Sequence, residues 1–437
     1  MRSRTRILIS AGCILLLLIS WVIVICSKSD AERQLELILQ AAALMDSGIY
    51  IRAVPLLEEA AGYGAAYTLA AETELKRAYL ALIGNRGVNR KYTSLLDKQM
   101  DRRDALPDVF AEAADYYLGA SKVAEALEAL RAGIEKTGDG RLVSMYEGSR
   151  YEYKINRSPY DYVSAIDGWT VQVQKDGLWG IAEADGVPMI PCEYEKISTY
   201  SVDRAIVMKG GEVFAVDSGN NRVELLSETA SDFGNLSDDR VPLLIGGKWL
   251  RAAGDFTLGD IGYEGLGTYS GGFAAAKTGG KWGVVDLGVK WLVPAEFDEI
   301  VRDELGRCYA QGAVFARRGA DVLLFKGGQQ TGAAYEDARP FSEEGYAAVK
   351  RGGKWGFANT DGETVIGFIF DDALSFGQHL AAVKLGEFWG YASLSGKVVI
   401  EPVFMEAKSF SSGSAPVLTE RGWQFITLLE YKKEVGL

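Results

Sequence analysis

Histidine is almost missing from this chain of 437 residues: there is one, His379. Triads built on an imidazole base and most zinc centres draw on histidine, so both chemistries are nearly excluded. His379 precedes the apolar stretch Leu380–Lys384 and reads as a turn or surface residue. Cysteine is scarce, at four. Cys13 and Cys26 fall in one apolar run, and Cys192 and Cys308 lie far apart in different sequence settings, so no repeated disulfide framework is expected. No Cys-x-x-Cys pair, Walker-type loop or dinucleotide fingerprint occurs, and no metal or cofactor is expected. Positive charge is in deficit: 47 Lys and Arg stand against 59 Asp and Glu, for a formal net charge of −12. Nucleic-acid binders need a basic face, so nucleic acid is excluded as a partner, as is a broad electrostatic hold on anionic lipid.

What is abundant is glycine, with 51 residues, many of them in turn-like pairs. The sequence Gly352-Gly353-Lys354-Trp355-Gly356 organises the second half of the chain. Two glycines tolerate positive φ and suit a tight turn between strands at 346–350 and 354–360. Asp361-Gly362 marks a second turn before a third strand at 363–370. Such a unit cannot bury a core alone and becomes stable by stacking on its neighbours.

The unit recurs. Aligned on Trp355, equivalent positions are Trp179, Val213, Trp249, Trp282, Val322, Trp389 and Trp423, at successive intervals of 34, 36, 33, 40, 33, 34 and 34 residues along the chain. The interval of 40 places an insertion near 302–311. In four modules an aromatic follows the tryptophan by 15 residues: Tyr194, Phe297, Phe370 and Phe404. Three of these precede an acid, Glu195, Asp298 or Asp371.

These residues resemble the WG-repeat family, through Trp179-Gly180, Trp282-Gly283, Trp355-Gly356 and Trp389-Gly390. The family's downstream element is matched by Leu292-Val293-Pro294 and Phe297-Asp298. Val213 and Val322 replace the tryptophan, and Leu250 and Gln424 replace the glycine after Trp249 and Trp423. The resemblance spans roughly residues 160–437 and implies a β-rich bacterial repeat protein, with no catalytic residue or ligand attached.

Residues 7–26 form an uncharged, mostly apolar run behind Arg2, Arg4 and Arg6. Twenty helical residues span about 30 Å, a bilayer core. An uncleaved single-pass anchor within residues 1–30 is expected, N-terminus inside and the rest extracytoplasmic at a bacterial cytoplasmic membrane. A cleaved signal peptide is the competing reading, although no small-x-small site follows the run.

Over 31–155 the period turns helical. Ala41, Leu44, Gly48, Tyr50, Ala53, Leu57 and Ala60 have the spacing of a tetratricopeptide helix pair, repeated by Ala114, Tyr117, Ser121, Val123, Ala126, Leu130 and Gly133. A degenerate unit fits between, around 66–101. The segment is similar to a short tetratricopeptide-like α-solenoid; a plain helical bundle is the alternative. A linker is expected at 151–159, where Asn156, Ser158 and Pro159 break the pattern.

The fold class expected is therefore multidomain, α then all-β: anchor, helical solenoid, and about eight WG-type repeats over 160–437. The repeats begin and end at different phases, which would let a ring close. A three-stranded unit is nevertheless small for a propeller blade, so an open or superhelical array is favoured over a propeller-like ring.

Carboxylates are the remaining source of chemistry, since glycosidases need only two. Asp298, Asp371 and Asp372 recur beside module aromatics, and Asp185, Asp217 and Asp361 lie near turns. A catalytic pair should be singular, so repeated acids read as turn chemistry. The motif residues Trp179, Gly180, Trp249, Trp282, Gly283, Trp355, Gly356, Trp389, Gly390 and Trp423 read as packing positions, with an aromatic shelf as the alternative. The function expected is non-catalytic: an anchored extracytoplasmic scaffold holding a protein or cell-wall polymer. The other class in play is a cell-envelope carbohydrate-active enzyme using a carboxylate pair.

Overall fold

The structure, a computed structural model, describes residues 29–225 and 230–429. The apolar run at 7–26 lies outside these, as do residues 430–437, where the last repeat was expected to end. Among the described residues no helix is long and apolar enough to cross a membrane. The chain divides into two compact units, Met1–Tyr146 and Glu147–Leu437.

The first unit is helical. Its described helices are α1 (Asp30–Asp46), α2 (Tyr50–Gly62), α3 (Thr68–Ala81), α4 (Val88–Met100), α5 (Pro107–Gly119), α6 (Val123–Thr137) and α7 (Gly140–Ser149), the last running across the boundary between units. Ser29 starts α1 with a capping box: its Oγ accepts from the Glu32 amide at 3.2 Å, and Glu32 accepts the Ser29 amide at 2.9 Å. The small residues of the helical pattern sit at crossings. Ala41, Ala53, Ala60, Ala114 and Ala126 are fully buried, and a Cβ on Gly133 would lie 2.7 Å from Phe110 and Leu142. Buried Glu72 takes Arg102 at 2.5 Å and Gln99 at 3.0 Å.

The second unit is a closed β-propeller of eight sheets. Blades 1 to 8 occupy residues 162–194, 196–225, 230–253, 265–297, 299–335, 337–370, 372–404 and 406–428. Seven have four strands; blade 3 has three among the described residues. The open array favoured above is thus corrected to a ring, for two reasons. Six of the eight modules have a further first strand of only two residues, such as Asp372–Ala373, too short to show a period in sequence. And the stretch 151–159, expected as a linker, holds the strand Tyr153–Arg157, which pairs antiparallel with Gly422–Leu428 and completes blade 8.

Packing between blades is continuous around the ring. Ile181, Ile190 and Tyr194 of blade 1 cluster with Ile197, Ala205 and Val207 of blade 2, and Trp423 and Phe425 of blade 8 cluster with Val163, Val171 and Val173 of blade 1. Second strands are covered on both faces, so they lose the polar–apolar alternation of a half-exposed strand: Ala347, Ala348 and Val349 are all fully buried. Tight turns after the first strands join neighbours. His379, at φ 66°, sits in one of them, its amide donating to Glu344 at 2.9 Å. The Ser411 and Ser412 hydroxyls of blade 8 donate to the Gly168 carbonyl of blade 1, each at 2.8 Å.

Candidate functional site

The repeat motif is explained by one local geometry. Trp179, Trp282, Trp355 and Trp389 stand opposite Tyr194, Phe297, Phe370 and Phe404 on the fourth strand. Immediately beyond each pair the register shifts. The bulge presses the fourth strand onto the glycine: a Cβ on Gly180, Gly283, Gly356 or Gly390 would lie 2.4–2.6 Å from a backbone carbonyl of Ile190, Val293, Ile366 or Ile400. Where the shift does not fall at that position, the glycine is absent: in blade 5 Leu323 still pairs with Ala334 and the shift comes after it, and Gln424 pairs regularly with Arg157 of the closing strand. Of the tryptophans, Trp355, Trp389 and Trp423 are buried, at 3, 8 and 5% exposure, while Trp179, Trp249 and Trp282 are only half-buried.

The recurring acids hold turns. Asp371 accepts the Gly386 amide at 2.7 Å and Lys354 at 2.5 Å; Asp298 accepts the Gly319 amide at 2.8 Å and Lys281 at 2.6 Å; Glu195 accepts the Gly210 amide at 2.8 Å. Glu264 and Glu336, which the constant 15-residue spacing misses, take both amides of the turns at Gly279-Gly280 and Gly352-Gly353. Backbone and lysine donors lower the carboxyl pKa of Asp298 and Asp371. Asp372, next to Asp371, instead faces Arg339 at 3.5 Å, so the two do not form a pair. Asp217 accepts the Asn221 amide at 2.8 Å, and Asp361 takes Lys326 at 2.6 Å. Cys192 and Cys308 are free thiols, and burial pushes the Cys308 thiol up to about 12.

The polar centre of the propeller lies elsewhere, in the insertion signalled by the 40-residue interval. After the first strand of blade 5, residues 302–309 fold into the central channel as a plug. Asp303 shapes it, accepting the Leu305 amide at 3.0 Å and the Arg307 amide at 2.8 Å. Arg307 bridges Asp303 and Asp167 of blade 1, at 2.8 Å to each. Glu304 accepts the Tyr162 hydroxyl of blade 1 and pairs with Lys408 of blade 8 at 3.0 Å. The Leu305 carbonyl accepts from Asn235 of blade 3 at 3.0 Å and Thr268 of blade 4 at 2.5 Å. Four other blades thus hold one loop of blade 5. Burial pushes the Asp167 carboxyl above its usual range despite Arg307. Burial opposes the charge on Lys408, but Glu304 outweighs it and raises the ammonium to about 12.

The plug separates two chambers, both touching Arg302 and Glu304. One, of about 780 Å³, is walled by the turns of blades 1 and 4 to 8. The other, of about 630 Å³, is walled by blades 1 to 4 and includes Trp179 and Trp249. No fourth-strand residue lines either, so first strands face the channel and fourth strands form the rim. Only Trp179 and Trp249 among the motif residues reach a chamber. Asp303, Arg307 and Lys408 were invisible as a set because the ring closes between distant parts of the chain. Among the described residues no group of three His, Cys, Asp or Glu is placed to hold a metal.

No curated protein matches this chain in sequence. Among solved structures it is similar to Kluyveromyces lactis Hsv2p, at 11% identity over 63% of this chain and 96% of that one, with a TM-score of 0.35. It is similar to the WD40 domain of Neurospora crassa Pan2, at 8% identity over 62% and 90%, with a TM-score of 0.34. YCF48 bound to D1 peptide is similar at 12% identity over 65% and 97%, with a TM-score of 0.34. At such scores the fold rests on the strand pairing above. The family model described as the WG containing repeat matches residues 179–212, 260–282, 333–355, 355–387 and 389–423, so the propeller carries WG repeats at these five places.

Proposed function

We propose that this protein is a non-catalytic scaffold that holds a protein partner on the faces of its propeller. One observation carries the reading: the recurrent acids, the main reactive groups available, are engaged in holding turns and joining blades. What the ring leaves for function is surface, and repeat surfaces bind through many small contributions. The helical unit, read as stacked tetratricopeptide-like hairpins, adds a second face. An anchor at 7–26 would place both outside a bacterial cytoplasmic membrane, where a cell-wall polymer is the other candidate partner. The test is site-specific photo-crosslinking in the native host from exposed turn positions, Asp203, Glu343 and His379, against positions on the rim, Ile369 and Val403. A discrete protein adduct from one face supports the scaffold; absence of any adduct from either set sinks it.

An enzyme reading has one specific support, the Asp167 and Asp303 carboxylates meeting at Arg307 beside the larger chamber. The guanidinium between them neutralises both, which opposes acid–base work. Hydrolysis of a cell-envelope polysaccharide by the intact protein, lost in Asp167→Asn with folding retained, would establish it in place of the scaffold.

A further inference from the structure

The smaller chamber has an unbalanced charge at its edge. Five cations line the two chambers. Four are engaged: Lys196 with Asp232 at 2.6 Å, Arg307 with Asp167 and Asp303, Arg339 with Asp372, and Lys408 with Glu304. Arg302 is not. Among the described residues its guanidinium makes no hydrogen bond or ion pair; it is half-buried and lies over the Trp282 ring, 4.4 Å from the centroid. A guanidinium stacks through its faces and donates in its plane, so this stacking leaves the N–H fork unused. The acids of the same chamber are taken: Glu195 by the Gly210 amide, Asp232 by Lys196, and Glu304 by Tyr162 and Lys408.

The chamber also has room and apolar walls. Its lining includes Leu266 and the half-buried indoles of Trp179 and Trp249, while the corners at Gly234 and Gly267 are closed by Pro242 and by the Gly306 carbonyl. An unused fork beside two indoles in a concave, partly apolar site is the arrangement that recognises an anion carried on an apolar or ring-bearing group.

We propose that this chamber binds a carboxylate attached to such a group, the carboxylate on Arg302 and the ring or side chain against Trp249 and Trp179. A peptide chain end and an acidic sugar share this chemistry. The inference does not depend on the scaffold reading, and either can fail alone.

The experiment titrates the full-length protein with hippurate, its neutral counterpart hippuramide, and D-glucuronate, following tryptophan fluorescence and heat. Saturable binding of hippurate, of glucuronate or of both supports the site; hippurate alone assigns it to peptide-like acids and glucuronate alone to acidic sugars. Hippuramide should bind about tenfold more weakly than hippurate, or not at all. Arg302→Gln should weaken the bound acid about tenfold, and Arg302→Lys, which keeps charge but loses the fork, by less. Thermal unfolding of each variant checks that the ring is intact; should Arg302→Gln not fold, Trp249→Leu with the amide comparison decides. No binding of either acid at millimolar concentration, or equal binding of hippurate and hippuramide, overturns the proposal.

Discussion

Arg307, in the insertion of blade 5, reaches Asp167 of blade 1 at 2.8 Å, across 140 residues of chain. The same loop is held from blade 8 through Lys408 and Glu304. The plug therefore links the first and last blades through the middle of the ring, in addition to the closing strand at its edge. This arrangement makes the ring's stability sensitive to a few named residues.

Lys408→Met should be destabilising beyond its lost packing, because Glu304 keeps its charge without its partner. Fully buried pairs cost about 3–5 kcal/mol when broken; with 31% of the Glu304 side chain exposed, we expect about 2–3 kcal/mol by denaturant titration. Adding Glu304→Gln should recover part of that loss in a double-mutant cycle. The Lys408 pKa is raised from 10.5 to about 12, so its contribution is complete below 10.5 and is lost as pH rises through about 12.

Gly356→Ala places a methyl group 2.6 Å from the Ile366 carbonyl. The bulged strand must shift, and we expect a loss of about 1–3 kcal/mol in unfolding free energy. Gly367→Ala, on the fourth strand of the same blade with nothing near its added Cβ, should change stability by less than about 0.5 kcal/mol. Equal effects would remove the close-approach account of the Trp-Gly pair.

Trp355→Ala empties a site that is 3% exposed and should cost about 3–5 kcal/mol. Lys354→Ala removes only an exposed ion pair with Asp371 and should cost at most about 1 kcal/mol. Chemical denaturation of both variants checks the contrast.

Acid sensitivity should concentrate at the turn-capping carboxylates. Asp298 and Asp371 have pKa values lowered from 3.8, so the stability they contribute is present above 3.8 and is lost as pH falls through their lowered values. A combined Asp298→Asn and Asp371→Asn variant should lose stability at neutral pH and show a shallower loss on acidification. Unfolding midpoints from pH 7 down to about pH 2.5 measure both slopes.

Residues 153–157 should matter more to the propeller than their expected role as a linker implies. A chain beginning at residue 151 should keep blade 8 whole, whereas one beginning at 159 leaves Gly422–Leu428 as an open edge. The shorter chain should melt lower and associate through that edge, as thermal unfolding and light scattering would show.

The repeat was readable because its causes are local. A two-glycine turn, an aromatic opposite Trp355 and a glycine under the bulge each follow from backbone geometry within one module. Their spacing therefore survives in sequence even where single letters change, as at Val213 and Val322. The alanines of the helical crossings were readable for the same reason. Ring closure was not local. It depends on Tyr153–Arg157 pairing with a strand some 270 residues later, and a five-residue strand that reads as a broken helix carries no trace of its partner. The chambers depend on the same long-range event. The interval of 40 residues announced extra chain near Arg302, but only the closed ring directs that chain into the channel, where Asp167, Asn235, Thr268 and Lys408 meet it. Arg302 looks like any surface arginine in sequence. Its unused charge becomes evident only once every other cation around the channel is found beside its acid.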